Sequence, residues 1–232
     1  MPEGPSNVEI AHHLHEQAHP GERERTQARR REAVVEIAEA VLLAMVAIAT
    51  AWSGYQTGRW DGRQADLYGV SSKYRATENR AATLSGQQRI YDASTFGFWL
   101  QEKAAGAEED ARLFERRFRP EYRPAFAAWL RTDPLHNPKA PPGPIFMPQY
   151  RNAAAERSQT AGRRASSAFE QGTAARETGD KYLRNTVLLA TVLFLTALAQ
   201  KFKLEKVRIG LLIVSGVLLV IGISFMATYA RA

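Results

Sequence analysis

Three histidines near the amino terminus come closest, by residue type and spacing, to a chemical site. His12, His15 and His19 follow one another at intervals of three and four, which places them on one face of a helix. Three imidazoles on one face suit Zn²⁺, Ni²⁺ or Cu²⁺. However, the tail lacks a hydrophobic stripe, and Pro20-Gly21 is expected to end any helix there. A solvated tail is therefore the favoured interpretation, and a metal site is the alternative.

No other pattern in the chain predicts catalysis. The sequence has no cysteine, which excludes thiol nucleophiles, disulfides and Cys-ligated metal sites. His136, the only histidine outside the tail, lies near Asp133 in a proline-rich segment without a nucleophile elbow. Neither the Gly-Lys pair of a phosphate loop nor a GxGxxG fingerprint occurs. The acidic run at 108–110 precedes Arg112 and indicates ion pairing on a helix. We expect a protein that is not an enzyme and holds no cofactor.

Three apolar blocks are long enough to cross a membrane, at residues 34–55, 185–202 and 207–229. The first two rise about 33 and 27 Å as helices, against a hydrocarbon layer of ~30 Å, and the third is the most apolar. Trp52 and Tyr55 give the first block an aromatic belt. The polar tail at 1–33 precedes this block, which is therefore interpreted as an anchor rather than a cleaved signal peptide. The middle third of each block lacks ionisable residues, which argues against a pump or carrier.

The charge distribution bears on partners and on orientation. The net charge of +7 includes twenty basic and fifteen acidic residues, interspersed, over positions 53–182. Interspersed charges indicate a solvated helical surface, so we expect no nucleic-acid partner. Nine basic residues flank the spans in the tail and the loop at 201–208, against five on the opposite side. This asymmetry predicts a cytoplasmic tail and an extracytoplasmic region at 56–184.

Small residues follow one another along the first span at alternating intervals of four and three. This helix-packing seam comprises Ala40, Ala44, Ala47, Ala51, Gly54 and Gly58. In lipid, such seams permit the close backbone approach through which helices associate. The favoured interpretation packs the seam against the second span of the same chain. The alternative is a homo-oligomer formed through span 1.

The region between the first two spans is predicted to be a helical bundle. Leu67, Val70, Tyr74, Thr77, Ala81 and Leu84 recur at heptad spacing. A break is expected at 85–86, followed by helices at about 88–118 and 122–131. The segment at 132–148 has six prolines and is expected to be irregular. An Ala-rich helix from about 149 then continues into the second span and pairs antiparallel with the helix leaving the first.

A set of aromatic residues accompanies this bundle. Trp99, Phe126, Trp129, Phe146 and Tyr150 belong to it. Their favoured interpretation is the core of the bundle and the packing of the proline-rich segment. The alternative is a ligand or peptide groove between that segment and the helices.

Two segments carry a family resemblance. The stretch at 49–65, ATAWSGYQTGRWDGRQA, and the stretch at 115–151, with RFRPEYRPA and MPQYR, resemble a bacterial family of small three-span membrane proteins of unknown function. The resemblance implies one span, a long helical loop and two closing spans. It brings no assigned catalytic or binding residues.

The sequence thus predicts an all-α membrane protein with three transmembrane helices and an extended helical-bundle domain between spans 1 and 2. We expect a multi-pass protein of the bacterial inner membrane that acts as a non-enzymatic scaffold or interaction module. Its partners would be the lipid bilayer, a second copy and an unidentified protein. The alternative is a sensory or accessory subunit whose bundle binds a ligand or partner.

Overall fold

The protein is all-α over the residues that the structure describes. This computed structural model describes the backbone of residues 7–134, 136–202 and 204–231, and side chains from Arg25 onward except Ala28. The helices are α1 (Asn7–Ala104), α2 (Glu108–Arg116), α3 (Arg123–Leu130), α4 (Ala153–Ala199) and α5 (Glu205–Thr228). A single 3₁₀ turn covers Pro144–Phe146, and these described ranges contain no strand. The prediction of an all-α fold is confirmed.

Helix α1 is a single element of 98 residues, which corrects three sequence expectations. It continues through Pro20-Gly21 and through Ser85-Gly86, so neither pair ends it. At Gly86 the cost to the helix is only about 1 kcal/mol, which is too little to end one that contacts the chain entering α4 there. The predicted separate helix at 88–118 is therefore wrong. The chain instead turns at Gly106, which has a φ of +76°, before α2 begins.

The features predicted around Pro124 and the proline-rich segment agree with the structure. Helix α3 lies within the expected 122–131 and has Pro124 in its first turn, where a missing N–H is tolerated. The proline-rich segment after it is irregular apart from the 3₁₀ turn. Helix α4 begins at Ala153 and continues into the second apolar block, as expected.

The chain divides into two compact units. The terminal unit comprises the chain up to Gly62 and from Ala175 onward, and the central unit comprises Arg63–Ala174. In the terminal unit, the apolar parts of α1, α4 and α5 pack around Val46, Leu189 and Leu219. All three helices are long and apolar enough to cross a membrane.

In the central unit, α1 and α4 lie antiparallel. The Ser71 hydroxyl donates to the carbonyl of Ala165 at 2.8 Å, and the Asn152 amide donates to the carbonyl of Ser85 at 3.4 Å. The face of α4 that contacts α1 is built from small residues four and three apart, namely Ala154, Ser158, Ala161, Ala165, Ala168 and Gly172. They permit close approach, since a Cβ added to Gly172 would lie 2.6 Å from the ring of Tyr68.

The heptad pattern of the sequence combined two different faces of α1. Leu67, Tyr74 and Ala81 are partly buried toward α4, whereas Val70 and Leu84 are exposed. Both sets repeat every seven residues, so the period alone did not separate them.

Candidate functional site

The aromatic residues of the central unit form its main core. Trp99, Phe126 and Trp129 are each 95% or more buried. The rings of Trp99 and Phe126 meet edge to face with centroids 4.9 Å apart, a favourable aromatic geometry. Trp129 Nε1 donates to the carbonyl of Pro141 at 2.7 Å, which ties the proline-rich segment to α3.

The five aromatic residues therefore do not assemble as the groove that the sequence suggested. Three lie in the core, Phe146 is 58% exposed, and Tyr150 is half-buried with its hydroxyl turned to Asp92. The core interpretation fits this placement, because the proline-rich segment packs directly on the cluster through Ile145 and Met147.

A buried ionic centre, which sequence reasoning missed, lies beside the core. Asp92 on α1 is fully buried and accepts two hydrogen bonds from Arg119, Nε at 2.9 Å and a terminal nitrogen at 2.7 Å. The Tyr150 hydroxyl donates a third at 3.0 Å. This bidentate geometry is the strong form of the carboxylate–guanidinium pair. No pattern in the sequence distinguished Asp92 from the many surface carboxylates.

The centre perturbs its neighbours. Its hydrogen bond to Asp92 raises the pKa of Arg119 above its usual range. Burial, and then the charge of Asp92, raises the pKa of Tyr122, whose hydroxyl is buried without a partner among the described residues. Burial likewise raises the pKa of Tyr150. The arrangement is a fixed structural joint between α1, the α2–α3 connection and the end of the proline-rich segment.

A cavity of about 330 Å³ is lined in part by the two core tryptophans. Trp99, Trp129 and Ala111 line its floor, and charged residues from the end of α1, from α2 and from the turn after α3 line its mouth. Its size is at the lower end of small-molecule pockets.

The terminal unit holds a second buried ion pair, also missed from sequence. Arg208 on α5 donates to both carboxylate oxygens of Glu39 on α1, with Nε at 2.6 Å and a terminal nitrogen at 2.9 Å. Farther along the unit, Trp60 and Tyr182 both donate to the carbonyl of Ala230. The beginnings of the first and third apolar segments therefore lie at one end of this unit, as a three-span topology requires.

The small-residue seam of the first span faces away from α4 and α5. All six of its residues are exposed, while the side of α1 that contacts α4 and α5 is centred on Leu42, Val46, Ala49 and Ser53. A Cβ added to Gly54 or Gly58 would meet nothing within 4 Å. The favoured expectation of packing against the second span is thus wrong, and the seam has no partner within the described chain.

An equivalent stripe runs along α1 in the central unit. It consists of positions again four and three apart, namely Ala65, Gly69, Ser72, Ala76, Asn79, Thr83, Gly86, Ile90, Ala93 and Gly97. All ten are exposed, and nine are small. We refer to this set as the central stripe. It lies opposite the face that α1 turns to α4.

The side chains of His12, His15 and His19 lie outside the described residues. Among those that the structure describes, no group of three or more His, Asp and Glu is placed to hold a metal ion. His136 Nδ1 lies 3.0 Å from Asp133 in an exposed pair.

Comparisons with protein-family models, with curated proteins and with solved structures gave no match to this chain. The resemblance carried by residues 49–65 and 115–151 therefore stays a prediction.

Proposed function

We propose that this protein is a non-enzymatic scaffold of the bacterial inner membrane that associates with further copies of itself through α1. Three helices long and apolar enough to cross a membrane support its insertion. The observation that carries self-association is the exposed run of small residues on α1, present in each unit.

The chain already packs helices through surfaces of this composition. The face of α4 that contacts α1 repeats Ala, Ser and Gly at the same intervals of four and three. In lipid, small residues let backbones approach closely and gain van der Waals contact. Outside the lipid, Ile90, the one large apolar member of the central stripe, is 68% exposed and adds apolar surface that a second copy would cover.

Cross-linking of single cysteines tests the interface, since the protein has no cysteine of its own. We expect Ala47→Cys and Ala76→Cys, on the seam and the central stripe, to form disulfide-linked dimers in native membranes under mild oxidation. Ile48→Cys and Thr77→Cys are matched controls. These neighbouring residues are also exposed, but they lie on other faces of α1 than the seam and the central stripe. Equal cross-linking at stripe and control positions, or none at any of them, would refute the interface.

Orientation rests on the excess of basic residues in the tail and the loop at 201–208. The Thr77→Cys variant also tests it, since this exposed position lies off the stripe. A membrane-impermeant maleimide should label it in spheroplasts without lysis. Labelling that requires lysis would place the central unit in the cytoplasm and reverse the proposed topology.

A sensory or accessory subunit is the second candidate, and one observation favours it. The cavity beside Trp99 and Trp129 offers the central unit a place for a small ligand. A sensor would change its cross-linking yield when the ligand binds, whereas a simple scaffold would not.

A further inference from the structure

We propose that the cavity beside Trp99 and Trp129 binds a small organic cation, of the size and type of a quaternary ammonium. This site is independent of self-association through α1, because none of its residues belongs to the seam or to the central stripe. The inference rests on the shape of the cavity, on the charges left uncompensated at its mouth and on its aromatic floor.

The charges at the mouth leave an acidic excess. Lys103 is held by Glu108, with Nζ 2.8 and 3.0 Å from the two carboxylate oxygens. Arg112 pairs with Glu109 at 3.4 Å. Lys103 and Arg112 are therefore each paired with a carboxylate of α2.

Two further carboxylates remain. The side chain of Glu115 has no hydrogen bond or ion pair among the described residues, although it lines the cavity. Asp133 also lines the cavity, and within the described part of the chain its carboxylate contacts only the exposed imidazole of His136. Both can approach a positively charged group in the cavity, and an anion there would be repelled by both.

The floor suits a cation as well. Indole has the most favourable ring face for a cation, and the attraction grows when water is excluded. Trp99 and Trp129 line the cavity, are each 95% or more buried, and meet edge to face with ring centroids 6.2 Å apart, so the floor is preformed. A rigid site loses little entropy when a ligand binds.

Asp133 is also held in an unusual backbone conformation. Its φ is +49°, the only positive φ at a residue other than glycine among those described. Aspartate tolerates this region better than most residues, at a cost of about 1 kcal/mol. The conformation turns the chain sharply after α3 and leaves this carboxylate at the mouth of the cavity.

A neighbouring groove offers the competing chemistry. It measures about 560 Å³, is more open, and is lined by Arg112, Arg116 and Arg123 together with Glu115, which the two cavities share. Arg123, however, already donates to the carbonyls of Phe118 and Arg116. The groove therefore provides fewer free donors than its arginines suggest, and we favour the cavity with the tryptophan floor.

Choline is a suitable probe, and calorimetric titration of the full chain in detergent micelles is the experiment. Binding should occur for choline and be at least tenfold weaker for 3,3-dimethyl-1-butanol, its neutral isostere, because the isostere has the same shape without the charge. Glu115→Gln and Asp133→Asn should each weaken choline binding about fivefold. Asp110→Asn is the matched control, since Asp110 is an exposed carboxylate of α2 that neither lines the cavity nor pairs with Lys103 or Arg112.

Four results would overturn the proposal. These are no choline binding at 50 mM, equal binding of the neutral isostere, unchanged affinity in both acidic variants, and binding of pyrophosphate in place of choline. The last would assign the arginine groove as an anion site. Far-UV circular dichroism of each variant shows whether the fold is retained, and Trp129→Phe, which keeps an aromatic floor, provides a second variant if an acidic one fails to fold. Cross-linking through Ala76→Cys tests self-association separately, so failure of one proposal leaves the other standing.

Discussion

Removal of the Arg119 guanidinium should destabilise the central unit more than any exposed substitution. In an Arg119→Met variant, Asp92 remains fully buried and keeps only the hydroxyl of Tyr150 as a partner. It loses two charge-assisted hydrogen bonds, at 2.7 and 2.9 Å, each worth about 1.5–3 kcal/mol. Breaking a buried pair in this way typically costs about 3–5 kcal/mol. For a unit of this size, that predicts a fall in melting temperature of roughly 10–20 °C.

Thermal unfolding in detergent micelles measures this loss. Trp99 and Trp129 lie in the core beside the ion pair, so tryptophan emission and near-UV circular dichroism both report on this unit. Arg117→Met is the matched control, because Arg117 is an exposed neighbour whose side chain makes no ion pair among the described contacts. Its effect should stay within about 0.5 kcal/mol.

A double variant separates the cost of an orphaned charge from the worth of the pair. Asp92→Leu/Arg119→Met removes both charges and should recover most of the stability, because a buried pair often contributes little net free energy relative to apolar residues. The reasoning is refuted if Arg119→Met costs less than about 1 kcal/mol, or if the double variant is as unstable as the sum of the two single variants.

Three further predictions concern single contacts. Burial raises the pKa of Tyr122, so above about pH 10 only the unfolded chain ionises this tyrosine and the free energy of unfolding falls. Tyr122→Phe should remove the share of the alkaline loss due to this tyrosine and, by eliminating an unpartnered hydroxyl, raise stability by about 1 kcal/mol near pH 7, as seen in melts at both pH values. Gly172→Ala should destabilise by about 1–3 kcal/mol through its clash, whereas Gly69→Ala, in open space on the same pair of helices, should be neutral or stabilising in the same melts. Arg208→Lys should lower the melting temperature measurably, because a lysine replaces the two-point contact with Glu39 by a single one.

The sequence predicted those parts of the fold that local chemistry decides. Six prolines leave 132–148 irregular apart from one 3₁₀ turn, and Pro124 helps to start α3; both effects act within a few residues. Apolar runs of span length are likewise recognisable from the residues of the run alone. The break expected at Gly86 failed because a glycine decides helix termination only where no neighbouring segment holds the chain, and here Asn152, which directly precedes α4, donates to the adjacent carbonyl of Ser85.

The candidate site was less predictable, because its residues are separated in sequence. Asp92 and Arg119 are 27 positions apart, and Glu39 and Arg208 are 169 apart. Each residue taken alone resembles an ordinary charged surface residue. Only the turn at Gly106 and the packing of α5 on α1 bring the partners together, and neither event leaves a local sequence signal.

The buried polar contacts also help to fix the register of helices that pack through small residues. A face that repeats Ala, Ser and Gly every seven residues can slide by one heptad and meet a nearly identical surface, so packing alone specifies register weakly. Ser71 to the Ala165 carbonyl in the central unit, and Ser53 to the Tyr182 carbonyl in the terminal unit, each fit a single register. We infer that these hydrogen bonds and the two buried ion pairs act mainly to select the native alignment. By the same reasoning, Ser72, Asn79 and Thr83 on the central stripe would set the register between two copies, since they are its polar members.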